Sequence, residues 1–489
     1  MTREGRFATK QAPFALPMRA APSAGIGASN SAPLDRRGKV CHPPATTDTG
    51  GCGMGKDKAE RQLEAARGLA RELGAKLDLD ASLRLWDGSL TPLGSNVTGP
   101  FELKIAGPGV IGSLLRRPTL DNFIRHYVDK GIDFSGGTLI DLGSELNRGG
   151  RSVKLKGREA LALAAKLYPF LFARADAADD DQGFEGEITG KKRKTADNKD
   201  YIQFHYDLSD DFYALFLDPE MVYSCAYFTD WANDITQAQT DKLEMICRKL
   251  RLKPGERFLD IGCGWGGLVC HAAKNYGVTA HGITLSENQL AFAREKVQRL
   301  GLADRVTIEL KDYSAMTGEF DKIASIGMYE HIGLKNIPAY MQKMQHLLAR
   351  DGLFLNHAIS RRAPKEGWMK RRMRPEQRAI AKYIFPGGEL DDIGHSIVAM
   401  ERAGFEVQDV EAWRLHYART CKLWCERLTA ERDRAVQFVG EEKYRIWVAY
   451  LAGVSLAFSR GTLRIFQTLV SKNAKRPPAI PPTRADLYR

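Results

Sequence analysis

Long apolar runs are missing from this chain. The longest, Ile446 to Phe458, has 13 residues against the ~20 that a bilayer-spanning helix needs, and Arg445 and Arg460 bracket it, so it reads as a buried helix. A secretory h-region is missing too, since Phe14 to Met18 is too short. No CxxC pair occurs: the eight cysteines, Cys41, Cys52, Cys225, Cys247, Cys263, Cys270, Cys421 and Cys425, are scattered, several in apolar or glycine-rich settings, which fits reduced thiols in a cytosolic protein. Cys421-x3-Cys425 falls on one helical face beside Leu423 and Trp424 with no second ligand pair, which predicts two core thiols and no metal. With no Lys-Ser/Thr pair after the glycines a P-loop is disfavoured, and no internal repeat occurs.

What is present is the balance of a globular protein: 489 residues, 43% of them hydrophobic, with 72 Lys plus Arg against 60 Asp plus Glu. At roughly 100–200 residues per domain the length suggests two to four domains. The net charge of +12 favours an anionic partner, but by itself does not choose among nucleic acid, phospholipid headgroups and an acidic metabolite.

Residues 1–53 are rich in Ala, Pro, Gly and Ser without apolar periodicity and read as a disordered extension. Their acid-poor composition would also suit a transit peptide, but the abrupt change at Met54 into Lys56-Asp57-Lys58-Ala59-Glu60 favours translation from Met54. Residues 54–174 form a small N-terminal domain with a helix, strand-like alternation at Leu83 to Trp86 and Phe101 to Ile105, and turns at Asp87-Gly88 and Gly107-Pro108-Gly109. Acidic Asp176 to Asp181 and basic Lys191 to Lys194 make 175–200 a linker.

Residues 201–489 carry the chemistry. From Cys247 to Leu355 helical segments alternate with β-rich runs at Arg257 to Ile261, Thr279 to Thr284, Val306 to Leu310, Lys322 to Ile326 and Leu353 to His357. That order predicts an α/β fold with a doubly wound parallel sheet. A basic excursion, Arg361 to Lys382, and a helical stretch, Ala412 to Ser471, follow.

The sharpest local signal is Phe258-Leu259-Asp260-Ile261-Gly262-Cys263-Gly264-Trp265-Gly266-Gly267, a strand running into glycines that open a helix. Glycines there let the backbone turn tightly against a ligand. The next strand ends in Thr284-Leu285-Ser286-Glu287-Asn288-Gln289, whose polar groups suit ribose or carboxylate, while Ser286 with Gln289 also forms a capping box. The third ends at Lys311-Asp312-Tyr313, a carboxylate and an aromatic face for an adenine, although a lone Asp after a strand is usually a helix cap. Three such ends, about 25 residues apart, favour a nucleoside cofactor.

Cys225, Glu330-His331, His357 and Tyr417 lie where chemistry is expected. Glu330 and His357, at the fourth and fifth strand ends, border the glycine crevice, and the carboxylate could fix the imidazole tautomer. Taken singly, each has a bland counterpart: a buried thiol, a helix-end cap, a core aromatic. A nucleophilic Cys225 is disfavoured because no cation is near in sequence to stabilise a thiolate.

Tyr223-Ser224-Cys225-Ala226-Tyr227, Leu259-Asp260-Ile261-Gly262-Cys263-Gly264-Trp265-Gly266, Gly282-Ile283-Thr284-Leu285-Ser286 and Glu330-His331 together resemble the cyclopropane-fatty-acyl-phospholipid synthase family. The likeness spans roughly Tyr201 to Ser471, and Leu85-Trp86-Asp87-Gly88 is similar to the family's small N-terminal domain. The resemblance implies a class I methyltransferase fold and S-adenosylmethionine as cofactor, contacted by Tyr223, Ser224, Asp260, Gly262, Gly264, Gly266, Thr284, Gln289, Asp312, Tyr313 and Ile326. It also implies a bicarbonate site at Cys225, Glu330, His357, Ile359 and Tyr417.

The implied reaction has an alkene π bond attack the sulfonium methyl. The resulting cation needs an apolar pocket, reached by a greasy passage from outside, and a base, bicarbonate, as the ring closes. Unsaturated phospholipids of an anionic membrane surface are the implied partners and nucleic acid is not; the protein would work in the cytoplasm, peripherally on the inner face of the membrane. A homodimer is allowed by the sequence without being indicated by it. Two features depart from the family: Val454 stands where many relatives carry a Cys, and the excursion with Arg361, Arg362, Lys365, Lys370, Arg371, Arg372, Arg374, Arg378 and Lys382 is unusually cationic. That excursion reads as a solvated loop or as a clamp on anionic lipid. Rival readings are C-methylation giving a methyl or methylene branch, small-amine N-methylation, and a non-catalytic lipid-binding protein.

Overall fold

The β-rich runs assemble as their order in the chain requires. In the computed structural model, which describes residues 52–148, 165–174, 208–363, 382–384, 388–472 and 480–488, they lie side by side in one large sheet. Residues 57–489 form one unit by their internal contacts. The expected extension 1–53 (all but its last two residues), the linker 175–200 and most of the basic excursion fall outside the described residues.

Two antiparallel pairings and one parallel pairing build a small sheet from β1 (Ser82–Arg84), β2 (Leu90–Pro92), β3 (Glu102–Ile105) and β4 (Ile132–Ser135), in the order β2-β1-β3-β4. The helix Cys52–Leu77 contributes Ala66, Leu69 and Ala70 to the core that this sheet shares with Leu83, Leu85, Phe101 and Phe170. Asp87-Gly88 turns as expected, with Gly88 at φ +83. Gly107-Pro108-Gly109 does not: Pro108 opens the helix Pro108–Arg116, where its fixed φ and missing N–H suit the first turn.

The large sheet runs β11-β12-β9-β8-β5-β6-β7. Its strands are β5 (Arg257–Ile261), β6 (Thr279–Thr284), β7 (Val306–Leu310), β8 (Phe320–Ile326), β9 (Leu348–Arg361), β11 (Phe405–Ala412) and β12 (Leu463–Lys472), with the short β10 (Asp391–Asp392) beside β9. Strands β5 to β9 pair in parallel, and β12 runs antiparallel between β9 and β11. This is the class I methyltransferase sheet, with the order reversing at β5, so a ligand crevice is expected over the carboxyl ends of β5 and β8.

The stretch expected to be helical from Ala412 to Ser471 is helical through Arg414–Ala430, Arg432–Val439 and Glu441–Ser459, then becomes β12. Ile465, Leu469 and Val470 are buried there between two strands, and lateral pairing decides the conformation of a run whose apolar content suited either state. The helix Glu441–Ser459 carries the run Ile446 to Phe458 in an aromatic core, and Val454 lies buried on it. Among the described residues no helix is long and apolar enough to cross a membrane.

Candidate active site

The glycine turn is tied to the end of β6 by Gly262 and Cys263 N–H donating to Ile283 O at 3.0 and 2.9 Å. Gly262 has φ +77, a left-handed conformation that side chains with a Cβ resist, and a Cβ there would also meet Met328 at 3.4 Å. Around this turn is a cleft lined by ten of the eleven positions expected to contact a cofactor: Tyr223, Ser224, Asp260, Gly262, Gly264, Thr284, Gln289, Asp312, Tyr313 and Ile326. Gly266 is the exception. At φ +80 it caps the helix Gly267–Tyr276, and its hydrogen faces Ala293, 3.2 Å from where a Cβ would stand, so it serves helix packing rather than the cleft wall.

Lys242 was not anticipated from the sequence. It lies on the helix Ile235–Leu250, buried on the same stripe as Gln239 and Ile246, and its Nζ donates to Ser224 Oγ at 3.0 Å. Gln239 Nε2 holds the same segment through Val222 O (3.2 Å) and Ser224 O (2.9 Å). A lysine and a glutamine three residues apart on an apolar helix face were the legible signal. Burial pushes Asp260 up to about 7 while Lys242 pulls it down, and burial brings Lys242 to about 8 against the attraction of Asp218, Cys225 and Asp260. Oδ1 of Asp260 has no hydrogen-bond partner, an acceptor in a cleft wall awaiting a donor.

The capping box is half made. Ser286 Oγ accepts from Gln289 N at 3.3 Å, but Gln289 Oε1 accepts Thr284 Oγ1 at 2.8 Å instead of bonding back to Ser286. The amide NH2 is what Gln289 has left for a ligand. Asp312 caps its own 3-10 turn through Ser314 N at 2.9 Å, and Tyr313 is buried edge-on to Tyr340 with centroids 4.9 Å apart.

None of Cys225, Glu330, His357, Ile359 and Tyr417 is among the described residues that line this cleft. They gather behind it. Glu330 Oε1 accepts from Ile359 N at 2.5 Å, its Oε2 is buried without a partner, and burial pushes the carboxyl up to about 7. His357, two residues before Ile359 and on the same side of β9, receives Gln467 Nε2 on its Nδ1 at 2.9 Å, while its Nε2 is buried without a partner. The expected Glu330–His357 bond is therefore not made, because both atoms that would form it have other partners or none. Burial, then Lys242 and Lys249, holds the imidazole well below its usual range, so it is neutral.

Tyr417 is buried against Phe458, with centroids 4.7 Å apart, and edge-on to Trp424 at 6.2 Å. Burial holds its phenol protonated. Cys225 is fully buried, its Sγ near Ala226 O (3.3 Å), and burial holds the thiol far from ionisation, which removes a thiolate nucleophile. Cys421 and Cys425 are buried in the same aromatic core. His331, paired with Glu330 in the sequence, is the part of that pair that reaches the cleft wall, beside Met328.

A family model described as mycolic acid cyclopropane synthetase matches residues 192–468. A probable fatty acid methyltransferase of Pseudomonas putida is 37% identical over 420 residues, covering 84% of this chain and 97% of that protein. The cyclopropane-fatty-acyl-phospholipid synthase of Escherichia coli K12 is 37% identical over 274 residues, 55% of this chain and 67% of its own. Among solved structures, the cyclopropane synthase MmaA2 of Mycobacterium tuberculosis superposes with a TM-score of 0.53 at 33% identity, covering 56% of this chain and 98% of that one. The mycolic acid cyclopropane synthase CmaA1 in complex with SAH and CTAB gives 0.53 at 34% identity, with coverages of 56% and 98%. The match over more than half its length, together with a cleft at the switch point of a class I methyltransferase sheet, shows that the chain belongs to the mycolic acid cyclopropane synthetase family.

Proposed function

We propose that this chain uses S-adenosylmethionine to methylate the cis double bond of unsaturated phospholipid acyl chains and closes the product to a cyclopropane ring. The observation that carries the reading is the pair of orphaned buried atoms, Glu330 Oε2 and His357 Nε2, in the aromatic compartment behind the cleft. A buried polar atom without a partner costs about 1–3 kcal/mol, so a compartment that keeps two is built to receive a small polar group.

The cleft's residues fit S-adenosylmethionine. The orphaned Asp260 Oδ1 suits an ammonium group, the free NH2 of Gln289 and the second oxygen of Asp312 suit hydroxyls or an exocyclic amine, and Tyr313 offers a ring face. When bound, the cofactor supplies an electrophilic methyl on a sulfonium centre. Gly262 keeps the backbone out of its way, and Lys242 keeps Ser224 in place with a charge that holds Asp260 nearer to ionised.

The second set is read as a bicarbonate site: Glu330, His357, Tyr417 and the Cys225 segment would hold it, Ile359 N being taken by Glu330 Oε1 until the ligand displaces that bond, and it would supply the acceptor for the proton lost as the ring closes. Trp413, Trp424 and Phe458 exclude water from that space and present aromatic faces that tolerate positive charge. The cationic excursion between Arg361 and Lys382 is read as the contact with an anionic membrane face, in keeping with an enzyme that works peripherally from the cytoplasmic side. The similarity to a probable fatty acid methyltransferase over 84% of the chain favours a second reading, a methyl or methylene branch formed from the same cation.

Mass spectrometry of lipids from a host expressing the chain decides between them. A gain of one CH2 with loss of the alkene signals supports the ring, and a gain with terminal methylene signals supports the branch. Lipids identical to those of the empty host would overturn both.

A further inference from the structure

His357, Gln467 and Glu411 stand in one row across three adjacent strands: His357 on β9 faces Gln467 on β12, and Gln467 faces Glu411 on β11. Directly opposed residues share a face, so the row runs from the sheet edge to the wall behind the cleft. Its last step is Ile326 on β8, which faces His357 and lines the cleft.

Lys249 descends onto this row from the helix Ile235–Leu250. Its ammonium donates to Gln467 Oε1 at 2.7 Å and pairs with Glu411. Lysine has only donors, so the amide atom facing it must be the oxygen. The other end of the amide, the NH2, then faces His357, and a donor at 2.9 Å makes Nδ1 the acceptor. A neutral imidazole accepting at Nδ1 carries its hydrogen on Nε2, the orphaned atom. Trp413 fixes the ring from a second side, edge-on at 5.1 Å, and Lys249 lies 5.2 Å over Trp413.

We propose that Gln467, oriented by Lys249 and Glu411, is a positioning residue that locks His357 in the Nε2–H tautomer, so that His357 meets its ligand as a hydrogen-bond donor and cannot serve as the base. This deepens the functional reading above and rests on it for the ligand. A donor is what an anionic oxygen requires, and the proton released in the reaction must then go to the bound group rather than to the imidazole.

The test uses the full chain labelled with [15N]histidine, with the His357 signals assigned by comparison with His357→Asn. Nitrogen shifts of the wild type are expected to show Nε2 protonated and Nδ1 bare. Gln467→Glu replaces the donor by an acceptor and is expected to move the hydrogen to Nδ1, lowering kcat by about 10-fold or more, the scale on which an imidazole's outer partner matters, with KM for S-adenosylmethionine unchanged. Lys249→Met frees the amide to turn and is expected to give a mixture of tautomers. A wild type with Nδ1 protonated, or a Gln467→Glu variant whose tautomer does not move, overturns the relay without needing any activity. A tautomer that moves in Gln467→Glu while product formation stays at the wild-type rate leaves the relay standing and overturns the place of His357 in the reaction.

Discussion

Asp260 and Lys242 share a corner of the cleft in which each limits the cost of burying the other. Lys242 lowers the Asp260 carboxyl from where burial alone would put it, and the result is about 7. In Lys242→Met the carboxyl therefore rises further and is protonated at neutral pH. S-adenosylhomocysteine affinity of that variant, measured by calorimetry, is expected to be low at pH 7 and to recover as pH rises; a profile parallel to the wild type would refute the pairing.

Glu330 gives stability the opposite pH dependence from a salt-bridged surface acid. Burial pushes it up to about 7 from the 4.5 of a solvated glutamate, so its contribution to stability is fully present below pH 4.5 and is lost as pH rises through 7. At about 1.4 kcal/mol per pKa unit, Glu330→Gln should be more stable than wild type by roughly 3 kcal/mol above pH 7 and no more stable near pH 4. Thermal unfolding at the two pH values checks this. The same variant should lose turnover while still binding S-adenosylhomocysteine, and full turnover would remove Glu330 from the site.

At the scale of elements, Arg445 ties the helix Glu441–Ser459 to β4 and to the helix Leu120–Val128 before it. Arg445, 6% exposed, donates Nε to Tyr127 O at 2.7 Å, Nη2 to Ile132 O at 3.3 Å and Nη2 to Asp133 Oδ1 at 2.9 Å, with its guanidinium 4.1 Å from the Tyr127 ring centroid. Arg445→Met keeps most of the bulk but removes the guanidinium's bonds to both carbonyls and to Asp133, with Tyr127 O retaining Lys130 N at 3.2 Å, a loss expected to be about 1–3 kcal/mol by denaturant unfolding. A change within half a kcal/mol would mean that those carbonyls find other partners.

The elements also show where periodicity stops being informative. β5, β6 and β7 begin and end where their β-rich runs do, β5 and β6 buried over most of their length and β7 alternating as an edge strand, because each is bounded by its flanking turns. β11 and β12 were not legible. Leu463 to Ser471 follows three helices without a glycine-rich fingerprint, and only pairing with β9 makes it a strand. Gln467 in the middle of that run was a polar residue at a buried position, a signal without meaning until its neighbours on β9 and β11 were known.

For the whole molecule, charge is the property that the fold does not consume. Of the nine Lys and Arg between Arg361 and Lys382, Arg361 bonds Leu390 O and Lys382 lies near Asp121, and six of the others fall outside the described residues. Replacing Lys365, Lys370, Arg371, Arg372, Arg374 and Arg378 by glutamine should weaken binding to anionic liposomes, by about 1 kcal/mol per cation near the surface, and the difference should shrink as salt rises. Equal sedimentation with liposomes at low salt would remove the membrane-clamp reading.

The sequence by itself determined the sheet's central strands and the glycine turn, because a strand that runs into glycines is a local arrangement written in consecutive residues, while a family resemblance supplied the eleven expected cofactor positions, ten of which line the cleft. That resemblance also grouped Glu330, His357, Ile359 and Tyr417. Only the tertiary structure decided that Glu330 bonds Ile359 N rather than His357, that Lys242 stands over Ser224, and that Gln467 sets the imidazole. Those partners are 29, 18 and 110 residues apart in the chain, and hydrogen-bond partnership across such separations is fixed by strand register and helix docking, which no local pattern encodes.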